Sequence, residues 1–245
     1  NLLTLQDENF WKYLKNLFEE TYLRDIIERN NISNVEELNE LLNVISSQIG
    51  SLTNPRNLQN TFKSEKNITL SDKTISNYLD FFMDAFLITK ALRYDVKGKK
   101  YINSPYKYYF EDIGLRNARL NFRQIDKGHI MENIIYNELL RRGYNVDVGV
   151  VEVNETSESG SNTKPKYEVD FVCNQGNKRI YVQSAYEMRD SEKEYQERKS
   201  LLNINDSFKK IIILGDVSKP RMDENGIITM GIFYFLLNED SLDQC

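Results

Sequence analysis

Residues 167–188, YEVDFVCNQGNKRIYVQSAYEM, decide how the second half of this chain folds. Two runs rich in Val, Ile, Tyr and Phe flank NQGNK, so the stretch reads as two strands joined by a turn. Side chains alternate between faces along a strand. That period puts Tyr167, Val169, Phe171 and Cys173 on one face and Glu168, Asp170 and Val172 on the other. On the second strand Tyr181, Gln183 and Ala185 share a face, opposite Ile180, Val182 and Ser184. Pairing the strands as neighbours brings Asp170 to Gln183 at one oxygen-rich point.

Upstream, KGHIMENIIYNELLRRG reads as a helix from about His129 to Arg142, stopped by Gly143 in a left-handed cap. Glu132 flanks its apolar stripe beside Ile135 and Leu139 and is placed to reach the same point. His129 is an N-terminal helix residue with no catalytic task. A strand from Tyr144 to Val153 and a polar loop, NETSESGSNTKPK, lead to the quoted stretch. Downstream come a charged helix (SEKEYQERKSLLNI), a buried strand (KKIIILG) and GIITMGIFYFLL, a terminal strand or helix. The order is helix, three strands, helix, strand. Carboxylates from Glu132 and Asp170 and the amide oxygen of Gln183 suit a hard cation such as Mg²⁺. Such an ion would activate water for hydrolysis.

The first half is helical. Apolar residues recur at three and four through ENFWKYLKNLFEETYLRDIIER, and SNVEELNELLNVISSQIG follows with Ser33 or Asn34 as cap and Gly50 as stop. A short helix near Pro55 precedes a longer one that Ser71 caps, with Ile75, Tyr78, Leu79, Phe82 and Met83 on its apolar side. LITKALRYDVKGKKYIN then reads as two strands around a KGKK turn. Helices followed by a hairpin is the winged-helix order, which makes Lys73, Ser76 and Asn77 groove-facing and Lys97, Lys99 and Lys100 the wing, over double-stranded DNA. Asp72, Asp80 and Asp84 on the same helix oppose that role, because carboxylates repel phosphate. The division expected is residues 1–125, helical and winged-helix, and residues 126–245, in an α+β or α/β architecture.

Charge is segregated along the chain. Residues 1–53 carry 4 Lys/Arg against 9 Asp/Glu, residues 54–110 carry 10 against 5, and residues 111–245 carry 18 against 23. A basic segment thus lies between two acidic ones, a pattern that points to a phosphate-facing surface. Cys173 and Cys245 make no disulfide framework, and the single His129 excludes a His-rich metal centre. No apolar run approaches the ~20 residues of a membrane span, and no secretory signal opens the chain. The expected location is cytoplasmic. The first residues read as mid-protein sequence, as in a fragment.

TISNYLDFFMDAFLI, YYFEDIGLRNARL, ENIIYNEL, EVDFVC and YVQSAYEM together resemble the carboxy-terminal half of a bacterial family whose members join an AAA-type ATPase to domain of unknown function 4143. The strand and helix order with Glu132, Asp170 and Gln183 also resembles the PD-(D/E)XK nuclease-like, or restriction-endonuclease-like, αβββαβ fold. The resemblance implies a winged helix, a nuclease-like domain and an amino-terminal ATPase absent from these residues, which contain no G-x-x-x-x-G-K-[ST] phosphate loop. Active nucleases of this kind carry a lysine two residues after the second-strand acid or glutamine; Ala185 stands there. Lys199 on the following helix is the candidate for a displaced lysine. Three functions follow as expectations. The first is a regulatory region that binds DNA or a partner beside a degraded, weakly Mg²⁺-binding site. The others are a metal-dependent nuclease using Glu132, Asp170, Gln183 and Lys199, and a protein–protein adaptor that does not bind nucleic acid.

Overall fold

The computed structural model describes residues 7–66, 70–123, 125–156, 162–188 and 191–243. The chain forms two compact units: residues 1–90 with 105–126, and residues 91–104 with 127–245.

The first unit is helical because its apolar residues repeat at helical spacing. Helix α1 (Asp7–Leu17) continues through a π-helical turn, Phe18–Leu23, into α2 (Arg24–Arg29). In α3 (Val35–Ser47), Leu38, Leu41, Leu42 and Ile45 form the buried stripe. Asn34 is the N-cap, but its side chain bonds Glu37 (2.9 Å) rather than a backbone amide. Asn54 caps α4 (Pro55–Thr61), accepting from the Asn57 amide at 2.7 Å, and a second π-helical turn follows at Phe62–Lys66. Ser71 caps α5 (Asp72–Asp84) through the Thr74 amide (3.0 Å), burying Ile75, Tyr78, Leu79 and Phe82. Such caps satisfy amides that a helix start leaves unpaired. Asp112 does the same for α6 (Ile113–Arg119).

Strands β1 (Ile88–Asp95) and β2 (Lys100–Phe110) run through both ranges of the division. The second unit continues with α7 (Lys127–Arg141), β3 (Asn145–Glu152), the short β4 (Glu155–Thr156) and β5 (Asn162–Thr163), β6 (Lys166–Gln175) and β7 (Lys178–Ala185). Then come α8 (Ser191–Leu202), β8 (Lys209–Leu214), β9 (Arg221–Met222), β10 (Ile227–Gly231) and α9 (Ile232–Leu237). The eight-stranded mixed sheet has the order β2-β1-β3-β6-β7-β8-β10-β9. β3, β6 and β7 are antiparallel neighbours, and β7, β8 and β10 run parallel. Parallel neighbours need a crossover, which α8 supplies between β7 and β8. GIITMGIFYFLL is thus a strand and then a helix.

The KGKK hairpin departs from the free wing expected of it. Arg93–Asp95 pair in parallel with Val148–Val150 of β3, and the Lys97 ammonium donates to the Glu152 carbonyl at 2.6 Å. The hairpin therefore extends the sheet. Its sequence is the same for either fate, since pairing with β3 is a contact made across some 55 residues.

The alternation expected along residues 167–173 also fails, at one place. Asp147 pairs with Val172 but Gly149 with Val169, so β6 carries one extra residue there, a β-bulge. Tyr167, Val169 and Val172 consequently pack in one apolar cluster with Val151, Tyr181 and Leu201 of α8. Phe171 lies on the opposite face, its ring 5.9 Å from that of Tyr136 on α7. Helices α7 and α8 therefore cover opposite faces. Gly149 makes room for the bulge: a Cβ there would sit 2.8 Å from Val172 Cγ2 and 2.9 Å from Val169 Cβ. Gly149→Ala is expected to destabilise the protein by about 1–3 kcal/mol through overpacking, read as a lower urea midpoint at unchanged slope.

Candidate functional site

The register of β6 with β7, in which Phe171 pairs with Val182, brings Asp170 to Gln183. The Asp170 amide donates to Gln183 Oε1 (3.3 Å), and the Ser184 amide donates to Asp170 Oδ2 (2.8 Å). Both side chains are more than nine-tenths buried. The meeting expected from the sequence thus occurs, although its chemistry differs. An amide N–H can only donate, so the Asp170 N–H fixes Gln183 with Oε1 toward β6. Its Nε2 then faces α8 and donates to Glu197 Oε2 at 3.1 Å. Gln183 is a three-way tie between β6, β7 and α8.

Glu197 is the acid the sequence reading missed. It lies in a helix charged on every side, whose polarity hides its inward face. The available signal was Leu201, wholly buried, one turn along: residues three and four before it share its stripe. Burial raises the Glu197 carboxyl above the usual glutamate range, and the Glu132 charge adds to that, while Gln183 and Lys193 pull it down. Glu132, half-buried on the first turns of α7, therefore acts on this region electrostatically.

A carboxyl raised on folding contributes stability that is greatest below its unfolded value and is lost as pH rises through its folded value. Glu197→Gln is therefore expected to raise the melting temperature near pH 7–8 and to leave it unchanged near pH 4. Thermal melts across that range check the sign.

Gln183 Oε1 is committed to a backbone amide, and its N–H₂, not its oxygen, points toward the acid. Among the described residues no group of three or more His, Cys, Asp or Glu is placed to hold a metal ion. Ala185, at the position of the expected lysine, is 2 % exposed and packs with Leu214 and Val96. The Lys199 ammonium lies 4.5 Å from the Tyr167 ring centroid and 5.8 Å from that of Tyr195. His129 is half-buried in the first turn of α7, and Cys173 is buried and free, its thiol pushed well up by burial.

A cavity of about 500 Å³ opens just past Ala185, lined by Tyr186, Glu187, Glu194, Gly215, Asp216 and Arg221 among others. It lies beyond the carboxyl ends of β7 and β8, where open sheets with parallel strands commonly bind ligands. The nucleic-acid candidates fall in two places. In the first unit Lys73 and Asn77 are exposed on α5, whereas the Ser76 hydroxyl donates to the Asp72 carbonyl of its own helix (2.9 Å). In the second unit Lys97 is tied to Glu152, while Lys99 in the hairpin turn and Lys100 at the start of β2 are exposed.

This is a mixed α+β protein whose sheet carries a buried Asp170–Gln183 pair tied to the half-buried Glu197 of α8. The chain belongs to the family called Domain of unknown function (DUF8612), which matches residues 2–126, and Domain of unknown function (DUF4143) matches residues 127–233. The 4143 likeness thus covers the second half, and a separate family covers the first. An uncharacterized protein of Haemophilus influenzae is 35 % identical over 202 residues, 82 % of this chain and 46 % of the relative. Another, of Methanocaldococcus jannaschii, is 31 % identical over 218 residues, 86 % of this chain and 46 % of the relative. The chain spans just under half the length of these relatives. Of solved structures, protein VC1899 from Vibrio cholerae aligns at a TM-score of 0.32 and 14 % identity, over 94 % of this chain and 56 % of that one. A score that low carries no argument about fold or activity.

Proposed function

We propose that this chain is the regulatory and binding region of an AAA-type ATPase. In this reading its PD-(D/E)XK-like domain engages DNA or a partner protein without cutting nucleic acid efficiently. The αβββαβ order supports the nuclease-like ancestry, and relatives about twice as long leave room for an ATPase module. The observation that carries the absence of cleavage is Ala185, packed in the apolar core where a lysine would orient water and stabilise charge on the phosphate. Losing one such preorganised group lowers turnover by about 10²–10³.

The test is incubation of the purified chain with supercoiled plasmid in Mg²⁺ or Mn²⁺. The plasmid is expected to stay intact. Robust nicking abolished by Asp170→Ala would overturn the reading and favour a nuclease using Lys199. Gel shifts at ~50 mM salt separate DNA binding from an adaptor role, since even weak phosphate contacts register there. If DNA binds, Lys73→Ala and Lys99→Ala each reduce the salt slope by about one.

A further inference from the structure

The cavity past Ala185 lies wholly within the second unit, and at about 500 Å³ it has the size of a small-molecule pocket. Two glycines shape its walls. A Cβ on Gly215 would sit 2.8 Å from Cδ2 of the Tyr186 ring and 2.6 Å from the Tyr186 carbonyl oxygen. Only glycine therefore lets that ring lie against the end of β8. A Cβ on Gly231 would sit 2.9 Å from Asp216 Oδ1, so the end of β10 makes room for this carboxylate. The Ser218 amide and hydroxyl donate to its two oxygens, at 2.8 and 2.7 Å, and fix its direction. An aromatic and a carboxylate are thus held in place at one opening, as a preorganised site requires.

The lining carries both signs of charge: Glu187, Glu194 and Asp216 against Arg221. Glu194 accepts from Arg198 at 2.9 Å, and the Lys127 ammonium lies 5.7 Å from the Tyr186 ring centroid. Bonds already made do not exhaust a carboxylate, which has about four acceptor positions. Arg221 is exposed on β9, and no ion pair or hydrogen bond of its guanidinium is found among the described residues. Met188 and Leu214 supply an apolar wall.

These charges select the ligand by sign. A phosphate ester or other polyanion meets three carboxylates that repel it. A plain amine suits the carboxylates but sets a like charge against Arg221. A molecule with one ammonium and one carboxylate answers both, and an apolar group on it covers Met188 and Leu214.

We infer that this cavity binds a small zwitterion of the amino-acid type with an apolar side chain. Arg221 takes the carboxylate by a two-pronged contact, and Asp216, with Glu187 and Glu194, takes the ammonium. The inference is independent of the ATPase and DNA readings. Thermal melts of this chain with each common amino acid at about 10 mM test it first. An apolar one, such as phenylalanine or leucine, is expected to raise the melting temperature by about 3–6 °C, the effect of a ligand at roughly ten times its dissociation constant. Calorimetry then compares the tightest binder with its decarboxylated amine and its deaminated acid: for phenylalanine, phenethylamine and 3-phenylpropionate. Each keeps one charge and is expected to bind about tenfold more weakly, or worse. Arg221→Ala is expected to erase the preference over the amine alone, and Asp216→Asn the preference over the acid alone. Stabilisation by no apolar amino acid overturns the inference. So does a half-ligand that binds as tightly as the whole, or a preference over the amine that survives in Arg221→Ala.

Discussion

Arg142→Ala will cost the second unit about 3–5 kcal/mol, because it removes one partner of a buried charge pair and the tie that holds the last segment of the unit. The Arg142 side chain is 7 % exposed and bonds Glu138 Oε1 at 2.7 Å. It also donates to the carbonyls of Phe235, Asn238 and Glu239 and to Ser241 Oγ, with its guanidinium 4.4 Å from the Phe235 ring centroid. Alanine takes the guanidinium donor from those acceptors and leaves the Phe235 carbonyl only the Ser241 hydroxyl (3.2 Å), while Arg141 keeps its own hold on Glu138 at 2.7 Å. Hydrogen bonds from Arg141, then Arg142, hold the Glu138 carboxyl below the usual range despite its burial. A carboxyl lowered on folding contributes stability that is full above its unfolded value and lost as pH falls through its folded value. The variant should therefore also lose less stability between neutral and acid pH than the parent does. Urea unfolding at two pH values, with amide exchange over residues 232–243, reads both effects. Parent-like protection of that segment would refute the assignment.

Arg116→Ala will destabilise the first unit by about 3 kcal/mol or more, since it opens a cavity and strips a buried carbonyl of its donor. Arg116 is 1 % exposed, with Nε donating to the Ser46 carbonyl at 2.8 Å and Nη1 to Asn117 Oδ1 at 3.0 Å. Burial lowers its guanidinium below the usual range, and Asp126 offsets part of that. Arg116→Lys should recover little, because an ammonium cannot reproduce the planar fork. The readout is built in. Trp11 is the sole tryptophan of the chain and stacks on Phe122, three residues past α6, so its fluorescence follows this unit. An unchanged fluorescence transition in the alanine variant would show that Arg116 is not a support.

The succession of helices and strands along residues 126–245 and the encounter of Asp170 with Gln183 were legible because they depend on local periods: two for strands, about 3.6 for helices. The bulge was not. It depends on Gly149 lying opposite Val169 and Val172, residues some twenty positions away. Missing it placed Val172 with Asp170 and Phe171 with Val169, whereas the apolar residues divide otherwise. The orientation of Gln183 escaped for a related reason. Composition names an amide but cannot say which end meets an acid until Glu197 is placed on α8. Arg116 escaped because an arginine in a short helix that also carries Arg119 reads as solvated, and only its near-total burial reveals it as a support.

The hairpin's place in the sheet bears on how the protein can be dissected. The boundary between the two matched families falls at residues 126 and 127, yet the strand beside β3 comes from Ala91–Ser104. A truncated product beginning at residue 127 would bare one flank of β3, and with it the run from Val146 to Val151, all buried in the intact chain. A long apolar strand with unpaired amides is a template for other chains. Cutting where the families meet would yield a sticky, aggregating fragment, whereas a piece that retains residues 91–104 keeps that flank closed.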